Sequence, residues 1–147
     1  MKFVSAFAAV VILALGTTAV SSQQDPIAAR KALMKSNGQA AGSLAKMVKG
    51  EAPFDLPTTQ KAFATFEDAA AKMPALFPDN SKSGGETTAA PKIWEDMADF
   101  KARFFKFGSD AKVTSASVKD LDSLKKSFPE FGKNCGGCHE LYRIKKS

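Results

Sequence analysis

Residues 117–142 read SVKDLDSLKKSFPEFGKNCGGCHELY. Along this stretch Val118, Leu121, Leu124, Phe128, Phe131, Cys135, Cys138 and Tyr142 recur every three or four residues. That spacing predicts an amphipathic helix beginning near Ser117, with one apolar face turned to a core. Pro129 falls inside it, where it removes a hydrogen bond or bends the helix. Upstream, Ile93, Met97, Phe100, Phe104, Phe107 and Ala111 follow at spacings of four, three, four, three and four. This continuous stripe predicts a third helix starting at Pro91. Phe63, Phe66, Ala70 and Met73 mark a second helix, about Pro57 to Lys72, entered through Asp55-Leu56-Pro57 and ended by Pro74 and Pro78. A first helix opens at Asp25-Pro26, where the aspartate caps free N–H groups and the proline fits the first turn. It runs through Ile27–Lys49 without a proline and stops at Gly50. Residues 74–90 show no periodicity and read as a loop, and no segment alternates apolar with polar residues as a strand would. The fold class is therefore all-α: an antiparallel, up-down-up-down four-helix bundle.

The chain has 147 residues, 44% of them hydrophobic, with 21 Lys+Arg against 15 Asp+Glu and a formal charge of +6. One folded domain follows, and a disordered chain is excluded. With two cysteines the chain is not a disulfide-stapled scaffold, and with one histidine, His139, it holds no His-rich zinc site. Residues 1–22 read as a cleaved signal peptide: Lys2, then an apolar run from Phe3 to Leu15, then small residues up to Ser22. That run is shorter than a membrane span, so no stable membrane anchor is expected. Export from a bacterium places residues 23–147, the functional domain, in the periplasm.

Cys135-Gly136-Gly137-Cys138-His139 is the attachment pattern of a c-type haem. Two thiols a fixed short distance apart add across the two vinyl groups of one porphyrin, and the adjoining imidazole of His139 then serves the iron. A thioredoxin-like pair needs a preceding strand, and a zinc site needs a fourth ligand. A Cys135–Cys138 disulfide would close a loop too short to stabilise much. The cofactor expected is one covalently bound haem c. No acid–base or nucleophile constellation accompanies it, so a carrier is expected and not an enzyme.

A thioether from methionine is a known second axial ligand. At a rise of ~1.5 Å per residue, Met47 lies at the wrong end of an antiparallel bundle, whereas Met34, Met73 and Met97 lie near the level of His139. Level alone leaves Met34 and Met97 balanced.

The whole of residues 23–147 resembles the class II c-type cytochromes, the cytochrome c′ family. The likeness rests on the C-terminal Cys135–His139 motif, the helix order, Ile93-Trp94 opening the third helix, and Arg30-Lys31-Ala32-Leu33-Met34 in the first. It implies that Met34, four residues after Arg30, faces the distal side of the haem. Gln23-Gln24-Asp25 and Leu33-Met34-Lys35 are similar to the low-spin, cytochrome c-556-like branch, in which that methionine binds the iron. The implied function is a periplasmic one-electron carrier cycling between Fe(III) and Fe(II). The alternative is a high-spin relative that binds NO or CO at an open distal position. The resemblance also implies that Arg143 sits beside the proximal face, against its other reading as an exposed helix-end cation. It brings Arg30 toward a haem propionate, and Trp94 and Phe104 toward the porphyrin or simply into the core. Partners are other redox proteins: Lys31, Lys35, Lys125, Lys126, Lys133, Lys145 and Lys146 form either an acidic-partner docking ring or a solvated surface. No nucleic acid is expected, and the chain is a monomer or a homodimer.

Overall fold

A computed structural model describes residues 25–145, so the expected signal peptide lies outside the described residues. Five α-helices follow in order: α1 Pro26–Lys49, α2 Leu56–Lys72, α3 Lys92–Glu95, α4 Met97–Ser117 and α5 Leu121–Tyr142. The four long ones pack around a ring in the order α1, α2, α4, α5, alternating in direction. This is the expected bundle.

The caps explain where each long helix starts. The side chain of Asp25 accepts from Ile27 N at 2.9 Å, and that of Asp55 from Thr58 N at 2.8 Å. α1 ends on Gly50 at φ 78°, a left-handed conformation that glycine enters without strain.

Two boundaries differ from the sequence reading. The third helix is broken at Asp96 (φ −137°, ψ 60°), whose carboxylate accepts from Asp99 N at 3.2 Å and starts α4 afresh. A short polar side chain competes with the backbone for such bonds, so a continuous apolar stripe did not guarantee a continuous helix. The last helix begins at Leu121 and not near Ser117. Ser117 closes α4, Val118 is buried between the two helices, and Asp120 with Ser123 forms a reciprocal capping box at the start of α5. Pro129 is accommodated inside α5.

The stretch expected as a featureless loop is ordered by two 3₁₀ turns, Met73–Leu76 and Asp79–Ser81. Its far end joins the last residues through an isolated antiparallel bridge, Ala89 with Arg143. Ala90 N donates to Tyr142 O at 3.0 Å and Ile144 N to Thr88 O at 2.8 Å.

The core is aromatic. Phe63, Phe66, Phe107 and Phe131 pack with ring centroids 5.1–5.8 Å apart, joining α2, α4 and α5. A second group, Phe77, Phe100, Phe104 and Tyr142, fills the end of the bundle where α5 finishes. Each fully buried ring contributes about 1.5–3 kcal/mol through removal from water.

Candidate functional site

α1 packs chiefly on α2 and touches α5 only over a short stretch. The facing sides of α1 and α5 follow from helical phase. Leu33, Ser36 and Asn37 turn toward α2, while Ser127, Glu130 and Asn134 turn toward α4. The opposite sides therefore meet. On α1 that side carries Met34, Gly38, Ala41 and Ala45; on α5 it carries Phe128, Gly132, Cys135 and His139. A Cβ built on Gly38 or on Gly132 would meet nothing within 4 Å. Small residues on these two sides leave room between the helices for a slot that could take a flat, mostly apolar group.

The chemistry of this slot is concentrated near one end. Cys135 and Cys138 carry free thiols one turn apart, the first exposed and the second half-buried against the core. Burial pushes both thiols above their ordinary pKa; at Cys138 the charge of Arg103 opposes that rise. His139 is pushed below the ordinary histidine value, first by burial and then by the charge of Arg143. Both effects favour the neutral ring, the form whose lone pair can bind a metal. Met34 lies eight residues into α1, ~12 Å from that helix's start, and His139 lies three residues, ~5 Å, from the end of α5 at the same pole.

The methionines separate by environment. Met47 and Met73 are buried, Met97 is half-buried against the same core, and Met34 alone stands outside it, 36% exposed. Two thiols and an imidazole within five consecutive residues, with small side chains facing them from α1, fit a covalently attached haem.

The other residues singled out in the sequence lie elsewhere. Arg30 is buried beneath the 76–87 loop. Its Nη1 donates to Leu76 O at 3.0 Å and Ser81 Oγ at 2.9 Å, and its Nη2 to Ser81 O at 2.8 Å and Thr87 Oγ1 at 2.7 Å. The guanidinium also lies 4.6 Å from the centre of the Phe77 ring. Both terminal nitrogens are committed, so any propionate must compete with the loop for them. Trp94 is half-buried and donates from Nε1 to Phe77 O at 3.0 Å, which fixes it to the same loop. Phe104 is core. Arg143 lies just past the end of α5, extended (φ −125°, ψ 127°) in the bridge to Ala89, and its charge reaches the imidazole of His139.

Sequence reasoning missed a cluster behind the motif. Asp99 accepts on one oxygen from Arg103 Nε at 2.6 Å and from the Tyr142 hydroxyl. The four-residue spacing of Asp99 and Arg103 was readable as a helix pair, but the link to Tyr142 spans two helices.

Known proteins share this arrangement. The family model described as Cytochrome C′ matches residues 25–143. Cytochrome c′ of Rhodopseudomonas palustris is 44% identical over 136 residues, covering 92% of this chain and 93% of that one. Cytochrome c-556 of the same organism is 35% identical over 138 residues, covering 91% and 93%. The solved R. palustris cytochrome c′ superposes with a TM-score of 0.82 at 46% identity, over 85% of this chain and all of that one. For oxidised R. palustris cytochrome c556 the values are 0.79 and 34%, over the same shares. Fold, attachment motif and likeness agree: this chain belongs to the cytochrome c′ family, the class II c-type cytochromes that carry covalently attached haem c.

Proposed function

We propose that this protein is a one-electron carrier whose haem c is joined to Cys135 and Cys138, with His139 and Met34 as the two axial residues. Met34 carries the reading: it is the methionine outside the core, on the wall opposite the wall that holds His139. When bound, the haem supplies an iron that accepts and releases one electron, at a potential raised by a thioether ligand. The chain does the rest. The two cysteines, one turn apart near the end of α5, would anchor the group to that helix. His139 supplies the imidazole next to the second cysteine, and its surroundings favour the neutral form that can donate a lone pair. Gly38, Ala41, Ala45 and Gly132 leave room for a flat ring, and Phe128 with Met34 gives it apolar contacts in place of water. Because α1 and α5 are each fixed to rigid neighbours, both ligands stay in place whichever way the electron moves.

Docking to an acidic redox partner draws on exposed lysines. Lys35 on α1 lies near this end, whereas Lys125 and Lys126 lie about 20 Å along α5 from His139, toward the opposite end. None of the three makes an ion pair among the described residues, whereas Lys31 faces Glu86 and Lys133 faces Glu130. The bacterial relatives and the Lys2–Ser22 leader support a periplasmic location. No helix among the described residues is long and apolar enough to cross a membrane.

A second reading is NO or CO binding at the distal side, with Met34 serving only as packing. It is favoured by the higher identity to the cytochrome c′ relative than to the cytochrome c-556 relative. The visible spectrum decides between them. A sharp low-spin spectrum, unchanged when CO is added to the dithionite-reduced protein and lost in Met34→Ala, is the expected result. A broad high-spin spectrum that shifts at once with CO in the unaltered protein overturns Met34 ligation and favours gas binding.

A further inference from the structure

Three side chains that this function leaves unused stand directly behind the attachment motif. Arg103 reaches from α4 toward α5: a Cβ built on Gly137 would lie 4.0 Å from its Nη1. Its direction is fixed at the other edge, where Nε donates to Asp99 Oδ2 at 2.6 Å. Tyr142 donates its hydroxyl to the same oxygen, and its ring lies 5.8 Å from the guanidinium carbon. Among the described residues the two Nη atoms make no further hydrogen bond. The guanidinium is therefore clamped on one side and presents its charge to Gly137 and Cys138 on the other.

We propose that Arg103, held in place by Asp99 and Tyr142, sets the reduction potential of the haem attached at Cys138 by fixing one positive charge beside the attachment motif. The sign follows from charge counting. Oxidation adds one positive charge at the iron, and a fixed cation nearby opposes that addition, so the reduced form is favoured. Asp99 partly cancels the effect, but it lies on the far side of the guanidinium. Asp99 and Tyr142 are positioning residues in this arrangement, and the inference rests on haem attachment at Cys135 and Cys138.

The test is spectroelectrochemistry of the purified holoprotein, in which the iron exchanges one electron with the electrode through a mediator. In Arg103→Gln the ratio of reduced to oxidised protein at a fixed potential falls about threefold, the effect of one partly compensated, partly solvent-exposed charge close to the attachment motif. At 59 mV per tenfold for one electron this is about 28 mV. Arg103→Lys keeps the charge and retains most of the native value. Asp99→Asn is the control with the opposite sign: its amide oxygen still accepts both hydrogen bonds, and the ratio rises. A purely structural network would move Arg103→Gln and Asp99→Asn in the same direction, or neither. Either result overturns the proposal, as does an Arg103→Lys variant that behaves like Arg103→Gln. The visible spectrum of each variant reports haem attachment separately. A normal spectrum with an unmoved potential sinks this inference alone, whereas a protein without covalent haem sinks the reading beneath it.

Discussion

Tyr142 shows what a single position can report. It is the chain's only tyrosine. Burial, followed by its hydrogen bond to the Asp99 carboxylate, raises its pKa from 10.0 to about 12. Ultraviolet titration of phenolate absorbance is therefore expected to show no ionisation near pH 10 in the folded protein, and a midpoint near 12. The sign for stability follows. Because the folded pKa is the higher one, the contribution is complete below pH 10 and disappears as pH rises toward 12. Asp99→Asn moves the midpoint back toward 10. A native titration with the ordinary midpoint would show that the hydroxyl does not face that carboxylate. Single positions also divide cleanly by legibility. Cys135, Cys138 and His139 were readable because the attachment chemistry needs its three groups within five consecutive residues. The buried role of Arg30 was not, because its acceptors lie 46 to 57 residues away and no local pattern announces them.

Among the helices, the closest approach is between α2 and α4. A Cβ built on Gly108 would lie 2.9 Å from the Cβ of Ala70, closer than real methyl groups come. Gly108→Ala gains about 1 kcal/mol in helix propensity but overpacks a filled seam, which costs about 1–3 kcal/mol. A net loss of about 1 kcal/mol is expected, read as a lower urea midpoint. Adding Ala70→Gly to the same chain recovers part of it, because the second change removes the atom that is struck. An unchanged or raised midpoint in Gly108→Ala would mean that the seam yields freely. The starts of α1 and α2 were readable from Asp25-Pro26 and Asp55-Leu56-Pro57, since a capping carboxylate followed by proline acts over one turn. The break at Asp96 was missed for the same reason in reverse. The apolar stripe keeps its register through the break, so periodicity stays intact while the backbone does not.

For the whole molecule, acid is the revealing variable. Hydrogen bonds from Thr58, Arg103, Lys106 and Ser123 hold Asp55, Asp99, Asp110 and Asp120 below the usual carboxylate value of 3.8. Near that value the unfolded chain binds protons that the folded chain refuses. Stability is therefore fully present above about pH 4 and is lost as pH falls through the depressed values. Thermal melts across this range are expected to show a decline beginning near pH 4, and Asp120→Ala, which also loses a helix cap, flattens it. Asp55 and Asp120 are exposed and Asp99 and Asp110 half-exposed, so each effect is small and the signal is their sum. The bundle itself was legible from three apolar stripes and a proline-free first helix marked by its caps. The slot between α1 and α5 was not, because it depends on which flanks two helices leave uncovered, and a single helix's periodicity does not record that.

The 73–90 segment is tied to the first helix by Arg30 and to the last by the Ala89–Arg143 bridge. It joins the start of the first helix to the end of the last, at one pole of the molecule. It works like the hoop of a barrel. The staves on either side of the slot cannot spread without stretching it, so the width available to the haem is governed by a stretch of chain that contributes none of the residues on its walls.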